Sequence, residues 1–149
     1  MNVSYRNATQ GDRVFVISSW LDAFRTSHTA GLIAMDTWYQ VMWPQVERIL
    51  DRVGARTVVA YDRDEDKWPL IGFIVADAEA SPPVVFFVYT KQPYRKNGFA
   101  RSMFSEIGID PSKPFVYSSK TAVVSQLASK IPCSKWMPLI ARFPPESRR

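Results

Sequence analysis

Three cations, a glycine and a small residue lie together in the stretch Arg95-Lys96-Asn97-Gly98-Phe99-Ala100-Arg101, here called the basic turn. Glycine and alanine lack bulk, so a charged oxygen can approach the backbone, and the basic side chains attract it. If a helix begins here, its first N–H groups have no partner within the helix and favour phosphate. The stretch therefore indicates either a phosphate-binding turn or an ordinary solvated basic surface.

The periodicity of the apolar residues changes on either side of the basic turn. Val84–Thr90 is an unbroken apolar and β-branched run, which predicts a buried strand. After the turn, apolar residues recur at helical spacing, and Gly108 stands where helices commonly end. The helical set is Phe99, Ala100, Met103, Phe104 and Ile107. The pattern predicts a strand, a basic turn and a helix.

With Tyr94 before it, the run Arg95-x-x-Gly98-x-Ala100 between a buried strand and an amphipathic helix resembles the acyl-CoA-binding motif of the GNAT acetyltransferase superfamily. The resemblance implies an α+β fold of three layers, with a mixed, mostly antiparallel sheet of about six strands and helices on both faces. It also implies that acetyl-CoA is the acyl donor. The cofactor-binding residues that it implies are Val88, Tyr89, Thr90, Arg95, Lys96, Asn97, Gly98, Phe99, Ala100 and Arg101, and a backbone N–H of Val88–Thr90 would polarise the thioester carbonyl.

Two helices are predicted after a first strand that begins at Val3. Thr9 or Asp12 can cap the first helix, and Asp36 can cap the second. The apolar face of the first helix is Val14, Ile17, Trp20, Leu21 and Phe24. That of the second is Tyr39, Met42, Trp43, Val46, Ile49, Leu50 and Val53, with a kink or restart at Pro44 and an end at Gly54. Trp38, Tyr39 and Trp43 are expected mainly in the core, although the resemblance places this region near the acceptor.

Later segments complete the family's order of strand, two helices, three strands, helix, strand, helix and strand. They are strands Arg56–Asp62 and Leu70–Asp77 around an acidic turn, a short strand Phe115–Tyr117, a helix Lys120–Ile131 and a last strand Lys135–Phe143. The family normally ends in two strands and this chain has room for one, so we consider a homodimer that completes the sheet. Residues 1–143 are predicted as a single domain and 144–149 as a disordered tail.

The residues that perform acyl transfer are less clearly marked. GNAT proteins often place a glutamate on the central strands and a tyrosine on a later helix, and neither is present at the matching positions here. Glu79, with Asp77 beside it, is the candidate base acting through water. Tyr117 is the candidate acid, with Tyr89 as its alternative and Ser118 and Ser119 as hydrogen-bonding neighbours. Ordinary surface or turn roles are the competing interpretation of all these residues.

Composition limits the classes of function. The chain has 149 residues with 46% hydrophobic and 22% charged, which is typical of a soluble globular protein, and no signal peptide or membrane span is evident, so a cytoplasmic protein is expected. Cys133 and His28 are single, which argues against a disulfide or structural zinc. The alternating Asp62, Asp64 and Asp66 lack the glycine and final glutamate of a calcium loop, so no metal site is expected.

Charge is divided unevenly between the halves of the chain. Residues 1–75 have 8 Lys and Arg against 9 Asp and Glu, whereas residues 76–149 have 11 against 5. An anionic ligand such as CoA explains the basic half, and so does nucleic acid. Three hypotheses follow: an acyl-CoA-dependent N-acyltransferase with an unidentified primary amine as acceptor, a GNAT-fold binding or structural subunit without catalysis, and a GNAT-type enzyme that modifies nucleic acid or aminoacyl-tRNA.

Overall fold

The computed structural model describes residues 1–27, 34–67, 69–119, 121–131 and 134–137. The strands in these residues are Val3–Asn7 (β1), Arg56–Asp62 (β2), Leu70–Asp77 (β3), Val84–Thr90 (β4), Val116–Tyr117 (β5) and Lys135–Trp136 (β6). The helices are Arg13–Ser27 (α1), Met35–Leu50 (α2), Phe99–Ile107 (α3) and Ala122–Ser129 (α4), with short 3-10 turns at Gln10–Asp12 and Gln92–Tyr94. No described helix has the length and apolar character needed to cross a membrane.

The six strands form one open sheet in the order β1-β2-β3-β4-β5-β6. The pairs from β1 to β4 are antiparallel, whereas β4–β5 and β5–β6 are parallel. The sheet is therefore mixed and mostly antiparallel, as the sequence predicted. Parallel neighbours require a crossover connection, and α3 and α4 supply the two crossovers here.

Two apolar clusters cover opposite faces of the sheet. One cluster joins α3 and α4 to side chains such as Ile74 and Val88, and the other joins α1 and α2 to side chains such as Phe73 and Phe87. Helices on both faces follow from these strands being buried on both sides. The predicted three-layer arrangement is confirmed.

Several details of the predicted α1 and α2 are wrong. Val14 is 66% exposed, because it lies about 90° around the helix from the centre of the buried stripe that includes Ile17 and Trp20. The second helix ends at Leu50, so Val53 lies outside it and is exposed, and Gly54 belongs to the following turn, where its φ of 85° suits glycine.

The start and middle of α2 also differ from the prediction. Ala34 occupies the N-cap position, and Asp36 lies in the first turn without making a side-chain cap. The helix continues through Pro44, so of the kink or restart predicted near Trp43, the restart does not occur. Packing of this helix on α1 and the sheet, through residues such as Val46, holds it across the position where proline lacks an N–H donor.

The predicted helix near the C-terminus is longer than the observed one, and the predicted last strand is described only at its start. Helix α4 occupies Ala122–Ser129 within the predicted Lys120–Ile131, and its cap is Thr121, which accepts the N–H of Val124. Strand β6 occupies Lys135–Trp136 at the start of the predicted Lys135–Phe143. Residues 138–149, which include the predicted tail, lie outside the described residues, as do His28 and Cys133.

Candidate functional site

Strands β4 and β5 are paired at one end and separate at the other. The pairing joins Val84 to Val116 and Val85 to Tyr117, and the N–H of Ser118 then donates to the carbonyl of Val85 at 3.1 Å. β5 ends at Tyr117, whereas β4 continues to Thr90. The later part of β4 therefore borders an opening, here called the β4–β5 gap.

A β-bulge in β4 lies where the gap begins. Val75 of β3 is opposite Phe87, but the next residue, Ala76, is opposite Val85, so Phe86 is the extra residue. Phe86 and Phe87 consequently both pack in the cluster beneath α1 and α2, which a regular strand does not allow for successive residues. Ser118 Oγ donates to the carbonyl oxygen of Phe86 at 3.1 Å and stabilises the bulge.

Beyond the bulge, alternate backbone groups of β4 face the gap. The N–H of Lys91 donates to the carbonyl of Ile71 at 2.7 Å, and Gly72 lies opposite Thr90. In an antiparallel ladder this makes Gly72–Thr90 a non-hydrogen-bonded pair, so the peptide groups of Thr90 point away from β3. Because the orientation of the peptide groups alternates along a strand, the N–H and C=O of Val88, two residues earlier, also point into the β4–β5 gap.

The basic turn follows the open end of β4 and leads directly into α3. Gly98 is the N-cap residue of α3 with φ 78°, and no side chain makes a cap hydrogen bond. A Cβ at Gly98 would meet no atom of the described residues within 4 Å, so the space beside this N-cap residue is open in that part of the chain. The first N–H groups of α3 therefore form an accessible anion-binding position of the kind that phosphate uses.

Two residues of the basic turn fix its backbone. The Nε of Arg95 donates to the carbonyl oxygen of Thr90 at 2.8 Å, which joins the turn to the end of β4. Asn97 donates its side-chain amide to the carbonyls of Tyr94 and Arg95. Lys96 adopts a left-handed φ of 66°, which is uncommon for a residue other than glycine. The sequence predicted Arg95, Lys96 and Asn97 as cofactor ligands, and the structure adds that Arg95 and Asn97 also organise the turn.

The two candidate tyrosines lie on opposite faces of the sheet. Tyr117 is buried in the cluster below α3, which also contains Val88, and its ring is 5.9 Å from that of Phe115. Tyr89 packs on the α1 side instead, with its ring 5.6 Å from that of Phe73. Tyr117 and Val88 therefore lie on the same face of the sheet, and the side chain of Tyr89 lies on the other face.

Glu79 lies away from the open part of the gap. It follows β3, whose last residue, Asp77, is paired with Val84 at the closed end. Its neighbour Ala78 lies near Gly108 at the C-terminal end of α3, whereas the basic turn lies at the N-terminal end, about 13 Å along the helix. The carboxylate of Asp77 accepts the N–H groups of Glu79 and Ala80 at 3.2 Å, which is a turn-forming role.

The aromatic residues between α1 and α2 pack mainly in the core. Trp38 is buried, its indole N–H donates to the carbonyl of Leu21 at 3.0 Å, and its ring stacks on Phe24. The hydroxyl of Tyr39 donates to the carboxylate of Asp22, and burial, followed by that hydrogen bond, raises the pKa of Tyr39 to about 12. Tyr39 is therefore neutral at physiological pH, and the core interpretation of Trp38 is confirmed.

No pattern in the sequence predicts the bulge at Phe86 or the hydrogen bond that Ser118 makes to it. A bulge depends on how two strands align, and Val84–Thr90 shows no glycine or other irregularity. The sequence predicts Ser118 only as a hydrogen-bonding neighbour of the candidate acids. Its place directly after a short strand is the one signal that could have identified it.

No protein-family model and no curated protein sequence matches this chain. Solved structures match it in fold. The crystal structure of histone acetyltransferase HPA2 and related acetyltransferase from Corynebacterium glutamicum has a TM-score of 0.57 at 14% identity, covering 87% of this chain and 83% of that one. A possible acetyltransferase from Clostridium difficile has a TM-score of 0.52 at 14% identity, covering 87% of each chain.

A third structure, the PaiA N-acetyltransferase from Thermoplasma acidophilum in complex with coenzyme A, has a TM-score of 0.52 at 16% identity, covering 72% of this chain and 70% of that one. The chain has a GNAT fold. The predicted resemblance is confirmed at this level. Within the GNAT fold, the separated strands β4 and β5 and the basic turn that starts α3 are the features of this chain that form an open site.

Proposed function

We propose that this GNAT-fold protein is an acyl-CoA-dependent N-acyltransferase. The observation that carries the proposal is the alignment of the N–H groups of Val88 and Thr90 along the β4–β5 gap, with the uncapped start of α3 at its open end. Pyrophosphate would bind the N–H groups after Gly98, with Arg95, Lys96 and Arg101 contributing charge. The pantetheine arm would extend along β4, and the thioester would lie near Val88 and Tyr117.

The proposed reaction is direct transfer between the two bound substrates. A neutral amine nitrogen attacks the thioester carbon, and the carbonyl oxygen takes the electron pair while accepting a hydrogen bond from the N–H of Val88. The carbon–sulfur bond then breaks, the sulfur takes a proton from the hydroxyl of Tyr117, and the amine nitrogen loses a proton to water. Water restores the proton of Tyr117, so the products are an amide and the free thiol.

The absence of a carboxylate in β4 determines how the amine must be activated. Val84–Thr90 contains no acidic residue, and Glu79 lies beyond the closed end of the gap. The amine must therefore arrive neutral or lose its proton to solvent, and turnover should rise with pH as the amine deprotonates. The same observation favours the second hypothesis, a binding subunit that retains the GNAT fold without catalysis.

Thiol release distinguishes these two functions. Acetyl-CoA and other CoA esters are offered with a panel of amines and peptides at several pH values, and calorimetry measures binding of each ester in parallel. An enzyme releases thiol in step with formation of the amide. Binding without thiol release would support the non-catalytic subunit, and absence of any CoA binding would overturn the acyltransferase proposal.

A further inference from the structure

A cavity of about 320 Å³ lies where the end of β1, the start of α1, the end of α2 and the start of β2 meet. Ala8, Val16 and Leu50 form its apolar part, and two arginines, Arg13 and Arg56, are among its polar lining residues. The volume is at the lower end of the range of about 300–1,000 Å³ typical of small-molecule sites. The cavity is large enough for a small organic molecule.

This cavity is separate from the proposed acyl-CoA site. It adjoins β1 and β2, whereas the gap lies between β4 and β5, and β3 stands between these two pairs in the sheet. Neighbouring strands are about 4.8 Å apart, so β2 and β4 are separated by about 10 Å. A ligand here would contact none of the residues that border the gap.

The two arginines of the cavity differ in their partners. Arg13 pairs with Asp51 at 2.9 Å and approaches Glu47 at 4.0 Å, so its charge is balanced and it fastens the end of α2 to the start of α1. Arg56 donates to the neutral side-chain oxygen of Asn7 at 2.9 Å, and no described carboxylate lies within ion-pair distance of it. Its guanidinium is therefore a positive charge without a described carboxylate partner, on a residue that lines the cavity.

The other polar groups of the cavity can complete a small site. The hydroxyl and N–H of Thr9 are already bonded to the carboxylate of Asp12. The side chains of Gln10 and Thr57 line the cavity and make no hydrogen bond to any other described residue. They leave an amide and a hydroxyl to bind a ligand beside Arg56.

We propose that this cavity binds a small organic monocarboxylate with an apolar body. The planar guanidinium of Arg56 matches a carboxylate, which it can hold through two parallel hydrogen bonds, and Gln10 and Thr57 supply further polar contacts. Ala8, Val16 and Leu50 cover the apolar body. A phosphate dianion fits less well, because a single unbalanced cation faces it and the apolar surface stays uncovered.

Benzoate is the probe, and benzamide is its neutral isostere. Chemical shifts of the backbone amides of Ala8, Thr9 and Thr57 report binding to the whole chain by NMR. We expect saturable shifts with benzoate, at least fivefold weaker binding of benzamide, and little response to inorganic phosphate. Arg56→Gln should weaken benzoate binding at least fivefold. Arg63→Gln, which removes the same charge from an exposed turn after β2, should leave benzoate binding unchanged.

Three results would overturn the proposal. Equal binding of benzamide and benzoate would show that the cavity takes apolar molecules regardless of charge. Equal binding of inorganic phosphate would show a nonspecific anion effect. Unchanged benzoate shifts in Arg56→Gln, with amide spectra showing that the variant is folded, would exclude Arg56 as the carboxylate partner. None of these readouts depends on CoA binding or acyl transfer, so they stand apart from the proposed function.

Discussion

The hydroxyl of Ser118 donates a hydrogen bond to the carbonyl oxygen of Phe86 at 3.1 Å, across the point where β5 leaves β4. Phe86 is the bulged residue, whose carbonyl would otherwise lack a ladder partner on this side. The Ser118 side chain thus joins the two strands at the closed end of the gap. Beyond this end, the N–H and C=O groups of Val88 and Thr90 face the gap. We therefore expect the width of the proposed acyl-CoA site to depend on this contact.

Removal of the Ser118 hydroxyl should weaken the junction of β4 and β5. Ser118→Ala should lower the free energy of unfolding by about 1 kcal/mol, the usual contribution of one hydrogen bond, and acetyl-CoA affinity should fall severalfold. Urea unfolding and calorimetry measure the two effects. Ser105→Ala is the matched control, because that exposed hydroxyl makes only a 3.5 Å contact within α3 and its loss should change neither. If acetyl-CoA affinity were unchanged in Ser118→Ala, the hydrogen bond between Ser118 and Phe86 would not contribute to the acyl-CoA site.

A charge at the start of α3 should interfere with pyrophosphate binding. Asn and Asp tolerate the left-handed φ of Gly98 better than most residues, and the space around the position is open. Gly98→Asp should lower acetyl-CoA affinity at least tenfold by charge repulsion, whereas Gly98→Asn, which has the same shape, should lose less. Calorimetry on variants with matching thermal stability tests this. CoA binding in Gly98→Asp at the parental affinity would place the site elsewhere.

Tyr117 should act on the leaving sulfur. Tyr117→Phe should reduce thiol release at least tenfold with little change in acetyl-CoA affinity, because it removes the proton and keeps the ring packed against Phe115. Tyr89→Phe is the matched control, since that ring packs on the α1 face. Steady-state kinetics beside calorimetry provide the comparison. Parental turnover in Tyr117→Phe would exclude this residue as the acid.

Gly72 allows β3 and β4 to approach closely. A Cβ at this position would lie 2.4 Å from the carbonyl oxygen of Tyr89. Gly72→Ala should therefore force β3 and β4 apart and lower the free energy of unfolding by about 1–3 kcal/mol or more. Gly11→Ala is the control, because its Cβ would meet nothing nearer than 3.7 Å, and its effect should stay within about 0.5 kcal/mol. Urea unfolding measures both. Equal stability of the two variants would contradict the close approach.

The pair of Arg6 and Asp12 should make stability depend on acidity. A hydrogen bond from Arg6, opposed by burial and assisted by the N–H of Thr9, lowers the pKa of Asp12. The stabilisation is therefore present above the unfolded pKa of about 3.9 and is lost as pH falls below it through the folded pKa. Asp12→Asn should flatten the fall of unfolding free energy below about pH 4.

Exposed Asp66 provides the control for the effect of Asp12. Asp66→Asn removes one carboxylate from the acidic turn between β2 and β3 by the same substitution. It should leave the pH dependence of the unfolding free energy close to that of the parent. Urea titrations at several pH values compare the three proteins. If Asp12→Asn retained the parental slope, the pair of Arg6 and Asp12 would not be the source of the acid sensitivity.

Local sequence determined the elements and the basic turn. Continuous apolar runs predicted β2, β3 and β4 with their observed bounds, and the glycines at 98 and 108 marked the two ends of α3, because a left-handed φ favours glycine at both. The helical periodicity predicted α1 and α2 less accurately at positions that are not buried. It extended α2 to Val53, since periodicity alone does not reveal where a helix ends, and it placed Val14 in the core, although Val14 lies at the margin of the buried stripe.

Only the tertiary structure decided how the candidate site residues meet. Strand alignment created the bulge at Phe86, and it set which peptide groups face the gap and which side of the sheet receives Tyr89. It also placed Glu79 beyond the closed end. These outcomes depend on contacts between residues far apart in the chain, such as Ser118 with Phe86, and a one-residue change of register reverses the face of every later side chain. No local pattern in the sequence encodes them.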